Sequence, residues 1–259
     1  MPKTSDLIPG DRLKMLFTGA PGTGKTTAIG SFPGPMKIFD FDHRLLPIQR
    51  FYPERTDIEY DQFDGRNFHK FKKDFEDLQN SCPYATVVID SMTFLGDALI
   101  DYMVGLRGGK GGKTKGVMQL ATLEDYGGES KGLLDVLNIA RVIPAHFIMT
   151  AHLTIVSDDK GSYRTLMTGG KKISFKIPGW FDEVYHFKAG PSMDDGNAVE
   201  YKVYTKPTGD DYGCKTNFKI PYEIDVTDKP FFSILQELLL EQGITIGGDK
   251  TKTEDTESI

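Results

Sequence analysis

Residues Thr18-Gly19-Ala20-Pro21-Gly22-Thr23-Gly24-Lys25-Thr26-Thr27 contain the pattern G-x-x-x-x-G-K-T, a Walker A phosphate-binding loop. Its setting supports the motif. Leu13-Lys14-Met15-Leu16-Phe17 upstream has the apolar character of a short strand, and Thr27-Ala28-Ile29-Gly30-Ser31-Phe32 downstream starts a helix. Gly19, Gly22 and Gly24 let the backbone wrap tightly, so that successive N–H groups converge on one phosphate. The helix N-terminus adds its positive end at the same point. The expected nucleotide contacts are Gly19, Ala20, Pro21, Gly22, Thr23, Gly24, Lys25, Thr26 and Thr27. Lys25 is expected to reach the β- and γ-phosphates, and the Thr26 hydroxyl to ligate Mg²⁺.

Reading outward, 259 residues allow one large domain with a proper core, or two small ones. The first residues lack the apolar run of a signal peptide, and no stretch approaches the ~20 apolar residues that span a bilayer. Cys82 and Cys214 fit no metal spacing, which suits a reducing cytoplasm. The net charge of −6 means that any nucleic-acid site must be a local basic patch.

Met36 to Asp42 has the pattern of a second strand ending in two acids, and Ile58 to Phe63 that of a short one. Phe68, Phe71, Phe75 and Leu78 recur at a helical period within Asn67–Asn80. Ala85 to Asp90 is a continuous β-branched run suited to the middle of a parallel sheet. Thr93–Val104 is expected to be helical and to give way to a mobile loop, Gly105–Gly116, with six glycines, four basic residues and no acid. A helical pattern returns from about Met118, and Ala145–His152 is the next strand. Leu153–Trp180 is expected to be irregular and basic. Three β-like runs follow at Asp182–Lys188, Val199–Thr205 and Thr216–Ile220. Asp228 is expected to cap a last helix that Gly243 ends. The expectation is a single α/β domain over 1–246, with a mostly parallel central sheet flanked by helices and an antiparallel C-terminal extension, and a disordered acidic tail over 247–259.

Asp90 ends its strand where a Walker B carboxylate would share the metal with Thr26. Hydrolysis needs a group to orient or deprotonate water, and Asp42 and Asp40 are the candidates at a strand end beside the loop. His152, at another strand end, could contact the γ-phosphate and report it to the loop that follows. His43, His69, His146 and His186 show no ligand spacing. Arg107, Lys110, Lys113 and Lys115 in the first basic loop, and Lys160, Arg164, Lys171 and Lys172 in the second, are expected to bind nucleic-acid phosphates, with Tyr163, Phe175 and Trp180 offering ring surface.

On Gly19–Thr26, Val87-Val88-Ile89-Asp90-Ser91, Met149-Thr150-Ala151-His152, Ile177–Val184 and Tyr204-Thr205-Lys206-Pro207 with Cys214-Lys215-Thr216, the chain resembles the RecA-like ATPase core. It is similar in particular to the compact phage recombination ATPases that lack RecA's flanking domains. The resemblance implies ATP and Mg²⁺ as cofactors and single-stranded DNA bound by the two basic loops. It implies a homo-oligomer, filament or ring, with ATP between subunits and Lys206 and Lys215 reaching the neighbour's γ-phosphate. Such proteins usually carry glutamate where Asp42 stands.

The leading expectation is therefore a cytoplasmic, DNA-stimulated ATP hydrolase of recombination, annealing or replication, in the host cytoplasm if phage-encoded. A single-strand-binding protein is a further partner, and no membrane is involved. A ring-forming helicase or packaging motor on the same core is the alternative, followed by a nucleotide switch and a small-molecule kinase.

Overall fold

The structure is a computed structural model that describes residues 12–110, 120–158, 161–192, 196, 198–207 and 213–246, with the backbone alone at 108–110, 158, 171 and 172. The strand before the phosphate loop, β1 (Lys14–Gly19), is buried along its whole length, as are β4 (Thr86–Asp90) and β5 (His146–Ala151). A strand buried on both faces has no polar side to present. This is why these runs are continuously apolar or β-branched and pair in parallel. β1 lies between β5 and β8 (Glu183–Pro191), and β5 separates it from β4. β2 (Met36–Asp40) and β3 (Ile58–Gln62) continue the parallel sheet beyond β4. On the other edge, β9 (Val199–Tyr204) and β10 (Glu223–Asp225) add antiparallel strands, completing the order β10-β9-β8-β1-β5-β4-β2-β3.

Alternation along the strands splits the core in two. Leu16 faces the layer built by α3 (Phe68–Asp77), α4 (Met92–Lys110 in sequence, after α1 and α2 below) and α5 (Leu123–Val142). Phe17 faces the opposite layer, where α1 (Lys25–Ile29) and α7 (Phe231–Leu240) lie. The aromatic period of α3 lands as expected: Phe68, Phe71 and Phe75 are buried, and Phe71 packs edge-on against Phe39 and Phe41. Among the described residues no helix is long and apolar enough to cross a membrane.

Several local expectations are corrected. Helix α4 does not stop at Val104 but runs to Lys110, through the first half of the expected Gly105–Gly116 loop. It packs closely along α5, where a Cβ on Gly132 would come within 2.6 Å of Leu99. Beyond Val104 the helix is exposed at Gly105 and Leu106, with nothing within 4 Å of a Cβ on Gly105, and is tied down by Arg107, which bonds to Leu120, Thr122 and Asp125. Leu153–Trp180 is not irregular. The β-branched run Thr154-Ile155-Val156 lies in a hairpin, β6 (Leu153–Asp158) with β7 (Gly161–Leu166), followed by the short helix α6 (Lys171–Ser174) and a 3₁₀ turn at Ile177–Trp180. Thr216–Ile220 is not a strand: Lys215 makes only an isolated bridge to Val184, and β10 pairs with β9 instead. Helix α2 (Leu46–Phe51), with proline in its first turn, had no signal in the apolar period. The last helix is capped at Pro230 without a side-chain bond, so Asp228 does not cap it. The expected tail at 247–259 lies outside the described residues.

The buried aromatic cluster should dominate stability. We expect Phe71→Ala, at a fully buried ring, to lower the unfolding free energy by about 3–5 kcal/mol in urea titration. Leu240→Ala, at a side chain 67% exposed, should stay within about 0.5 kcal/mol of wild type.

Candidate active site

At the C-terminal ends of the parallel strands, β1 turns into the phosphate loop and the loop into α1. Gly24 is the residue before the helix and has φ +90°, a left-handed conformation that a side chain rarely tolerates. A Cβ there would also meet the Tyr201 ring at 3.3 Å, so β9 lies directly over the loop. The loop borders a pocket of about 450 Å³ that is closed by Tyr201, α2 and the segment Val226–Pro230. None of these three walls was signalled by a motif. They belong to the site because the sheet and the C-terminal strands fold over the loop.

Lys25 is 6% exposed, and its Nζ donates to the carbonyls of Gly19 (2.9 Å) and Ala20 (2.8 Å). Burial pushes its pKa down from 10.5 to about 8, against the opposing pull of Asp90 and Asp42. Asp90 is 2% exposed. Thr26 Oγ1 donates to its Oδ2 at 3.0 Å, and Thr150 Oγ1 donates to Oδ1. Burial raises Asp90 from 3.8 to about 6, and the two threonine hydrogen bonds limit the rise. Thr150, two residues before His152, was not singled out by its sequence pattern. Its hydroxyl matters only because β5 lies beside β4. The Asp90–Ser91 peptide is cis.

The two acids that end β2 separate in space. Asp40 is fully buried and accepts from His43 N–H (2.7 Å) and Gln62 Nε2 (3.3 Å), so it braces the turn and does not border the pocket. Asp42 does border it. The amides of Phe41 and Asp42 both donate to the Asp90 carbonyl, at 2.7 and 3.0 Å, which swings Asp42 toward the loop. Asp42 Oδ1 is buried with no hydrogen-bond partner, while the Arg44 guanidinium lies 3.7 Å away. His152 lies across from it. Its Nδ1 is 3.3 Å from Gly19 O, its Nε2 is 4.0 Å from Asp42 Oδ2, and its backbone N–H donates to Thr93 Oγ1 at 3.0 Å. Burial first, then the nearby Lys25 charge, lowers the His152 pKa, so the ring is neutral at neutral pH.

Hard oxygen donors from Thr26, Asp90 and Asp42 suit Mg²⁺. The orphaned Asp42 oxygen is the kind of acceptor that a water or a hydrated cation would satisfy. The loop amides and Lys25 suit a polyphosphate. The structure therefore brings Lys25, Thr26, Asp42, Asp90 and His152 to one point.

It does not bring the other expected residues there. Lys206 is exposed beyond the end of β9, and Lys215 borders a different cavity, so neither lines the loop of its own chain. The Arg107 guanidinium donates to Thr122 Oγ1 (2.8 Å) and Leu120 O (2.9 Å) and pairs with Asp125 at 2.9 Å, tying α4 to the start of α5. The Trp180 ring is covered by Arg141 at 5.2 Å. Arg164 lies on β7, where Tyr163 packs against Phe175. Lys113, Lys115 and Lys160 lie outside the described residues, and the side chains of Lys110, Lys171 and Lys172 do as well.

The profile of a family described as "AAA domain" matches residues 11–210. No curated protein matches the chain. Among solved structures, the flagellar accessory protein FlaH from Methanocaldococcus jannaschii is similar at 9% identity and a TM-score of 0.43, over 86% of this chain and 88% of that one.

The charge states set a pH window. A lysine whose folded pKa lies below 10.5 costs stability while protonated, below about pH 8, and that cost is relieved as pH rises. A carboxylate raised to about 6 costs stability while ionised, above about pH 6, and that cost is relieved as pH falls. Between pH 6 and 8 both costs are present, each on the order of 3 kcal/mol. A magnesium nucleotide needs both charges. Its binding should therefore be tightest in that window and weaken on either side, as read by fluorescence titration of an N-methylanthraniloyl ATP analogue. Lys25→Ala should bind weakly throughout and lose the alkaline fall.

Proposed function

The chain belongs to the AAA-domain family of P-loop ATPases, and on that footing we propose that it is a magnesium-dependent ATP hydrolase whose turnover is coupled to single-stranded DNA. The observation that carries the hydrolytic reading is Asp42. It is a carboxylate 12% exposed, paired with Arg44 through Oδ1 and facing His152 through Oδ2, held beside Lys25 and Asp90 at the mouth of the phosphate loop.

Each residue has a distinct task in this reading. The loop amides and Lys25 hold the β- and γ-phosphates, exchanging the Gly19 and Ala20 carbonyls for phosphate oxygens. Thr26 and Asp90 hold the metal, whose charge offsets that of the phosphates. Tyr201 and the Val226–Pro230 segment receive the base. A neutral His152 that donates Nδ1–H to Gly19 leaves Nε2 as an acceptor, 4.0 Å from the acceptor Asp42 Oδ2. Two facing acceptors call for a donor between them. A water molecule donating to both is oriented for attack, with Asp42 accepting its proton.

The coupling to DNA rests on chain continuity. His152 touches the phosphate loop, and the next residue, Leu153, begins the β6–β7 hairpin that carries Arg164. Lys160, Lys171 and Lys172 belong to the same stretch, and Lys110, Lys113 and Lys115 to the other. These cations would bind the strand through its phosphates, with strong salt dependence. In an oligomer, Lys206, exposed at the end of β9, keeps the role of reaching a neighbour's γ-phosphate.

Steady-state hydrolysis with and without an oligonucleotide tests the proposal. Asp42→Asn should lower kcat about 10²–10⁴-fold while nucleotide affinity holds. His152→Gln should lose much of the stimulation by DNA. Unchanged turnover in Asp42→Asn removes Asp42 as the base, and absence of DNA affinity at low salt, with or without ATP, removes the DNA reading.

A further inference from the structure

The pocket over the phosphate loop has a second cation near Asp42 besides Lys25. Arg44 borders it from the turn that joins β2 to α2. Its side chain is 72% exposed, and its Nε lies 3.7 Å from Asp42 Oδ1, beyond hydrogen-bond length. Asp42 is its one ion-pair partner among the described residues. A solvated pair of that length adds little to stability, so the guanidinium is not committed to the fold. Lys25 differs in each respect: it is buried and bonded to two loop carbonyls. The Arg44 charge reaches His152 as well, where, after burial and Lys25, it helps to keep the ring neutral.

The backbone under Arg44 is held in place. His43 has φ +58°, a left-handed conformation uncommon outside glycine. Such a conformation persists where its surroundings impose it. Here the His43 N–H donates to Asp40 Oδ1 at 2.7 Å, and the ring Nε2 lies 3.2 Å from Phe63 O. Upstream, the Phe41 and Asp42 amides donate to Asp90 O. Downstream, Pro47 of α2 returns to the pocket wall. Asp40 and His43 do not line the pocket, yet they fix the turn that presents Arg44 beside Asp42. A fixed backbone under an exposed, loosely paired guanidinium leaves the side chain free to change partner.

We infer that Arg44 is a catalytic residue that leaves Asp42 for the γ-phosphate of a nucleoside triphosphate bound by its own chain. The inference rests on the hydrolytic reading above. Arginine makes forked, charge-assisted hydrogen bonds to phosphate oxygens, a closer match than one carboxylate oxygen at 3.7 Å. Its departure opens Asp42 Oδ1 to water, beside the Oδ2 that faces His152. The water oxygen then attacks the γ-phosphorus, Asp42 takes the water proton, and the bond to the β–γ bridging oxygen breaks, giving the diphosphate and inorganic phosphate. Arg44 offsets the charge on the transferred group from the β2 side, and Lys25 does so from the loop side. A diphosphate has no γ-oxygens to draw Arg44 away, so the pair with Asp42 persists. The arginine thus reports the terminal phosphate to the base. It acts within one chain, whereas Lys206 is proposed to reach a neighbour's nucleotide.

The test compares ADP with the non-hydrolysable triphosphate AMP-PNP, each with Mg²⁺ and each displacing an N-methylanthraniloyl ADP probe, alongside steady-state ATP hydrolysis. Arg44→Ala should weaken AMP-PNP about tenfold, leave ADP within about twofold of wild type, and lower kcat about 10³-fold. Arg44→Lys should recover AMP-PNP binding but little turnover, because an ammonium cannot fork across two phosphate oxygens. Equal weakening of both nucleotides in Arg44→Ala, or unchanged affinities and turnover, overturns the inference, while loss of turnover in Asp42→Asn still upholds Asp42 as the base. Selective loss of AMP-PNP in Arg44→Ala, with full turnover in Asp42→Asn, upholds the γ-phosphate contact and removes Asp42 as the base. Arg44→Ala is also mixed with Lys25→Ala. Turnover equal to the sum of the two variants keeps the contact within one chain. Recovery above that sum means that a neighbour supplies the arginine, which overturns the inference.

Discussion

Asp90 is a carboxylate taken almost wholly out of water, and the site is built around keeping it there. Burial alone would drive it to the neutral form. Two threonine hydroxyls oppose that, Thr26 from the start of α1 and Thr150 from β5, so the acid is held jointly by the phosphate-loop helix and the neighbouring strand. Its backbone carbonyl receives two amides from the end of β2, which fixes where Asp42 lies. One residue thus sets the relation of three chain segments. A buried acid and a buried lysine at the same mouth are costly without a partner, and the ligand that relieves both is a magnesium polyphosphate.

The precision of this arrangement depends on the sheet beneath it. β1, β4 and β5 are buried on both faces, between the α3–α5 layer and the α1–α7 layer. Interiors packed at that density do not deform continuously. Lys14 shows how completely water is excluded at the opposite end of β1. Its ammonium donates to Ile143 O and Ala145 O, and burial lowers its pKa to about 8. The strand ends are therefore rigid platforms, and the β6–β7 hairpin, a two-stranded sheet of its own, is anchored to them at His152 and by the buried Leu166.

The amino-acid order determined the phosphate loop, the buried parallel strands, the aromatic stripe of α3 and the acid at the end of β4. Each is written in local spacing, whether a motif, a β-branched run or a helical period, and needs no distant partner to be recognised. Lys25, Thr26 and Asp90 were legible for that reason. The tertiary structure alone decided between Asp40 and Asp42, because both end the same strand and only the hydrogen bonds to Asp90 turn one of them toward the loop. It alone supplied Thr150, Tyr201 and the Val226–Pro230 wall, which lie more than a hundred residues from the loop they serve. It also showed Arg107 tying two helices together, and a helix end and a hairpin where composition implied irregular chain. Side chains at one strand end share a chemistry that depends on which strand lies beside them, and pairing between distant strands is carried by packing of the whole sheet rather than by any local pattern.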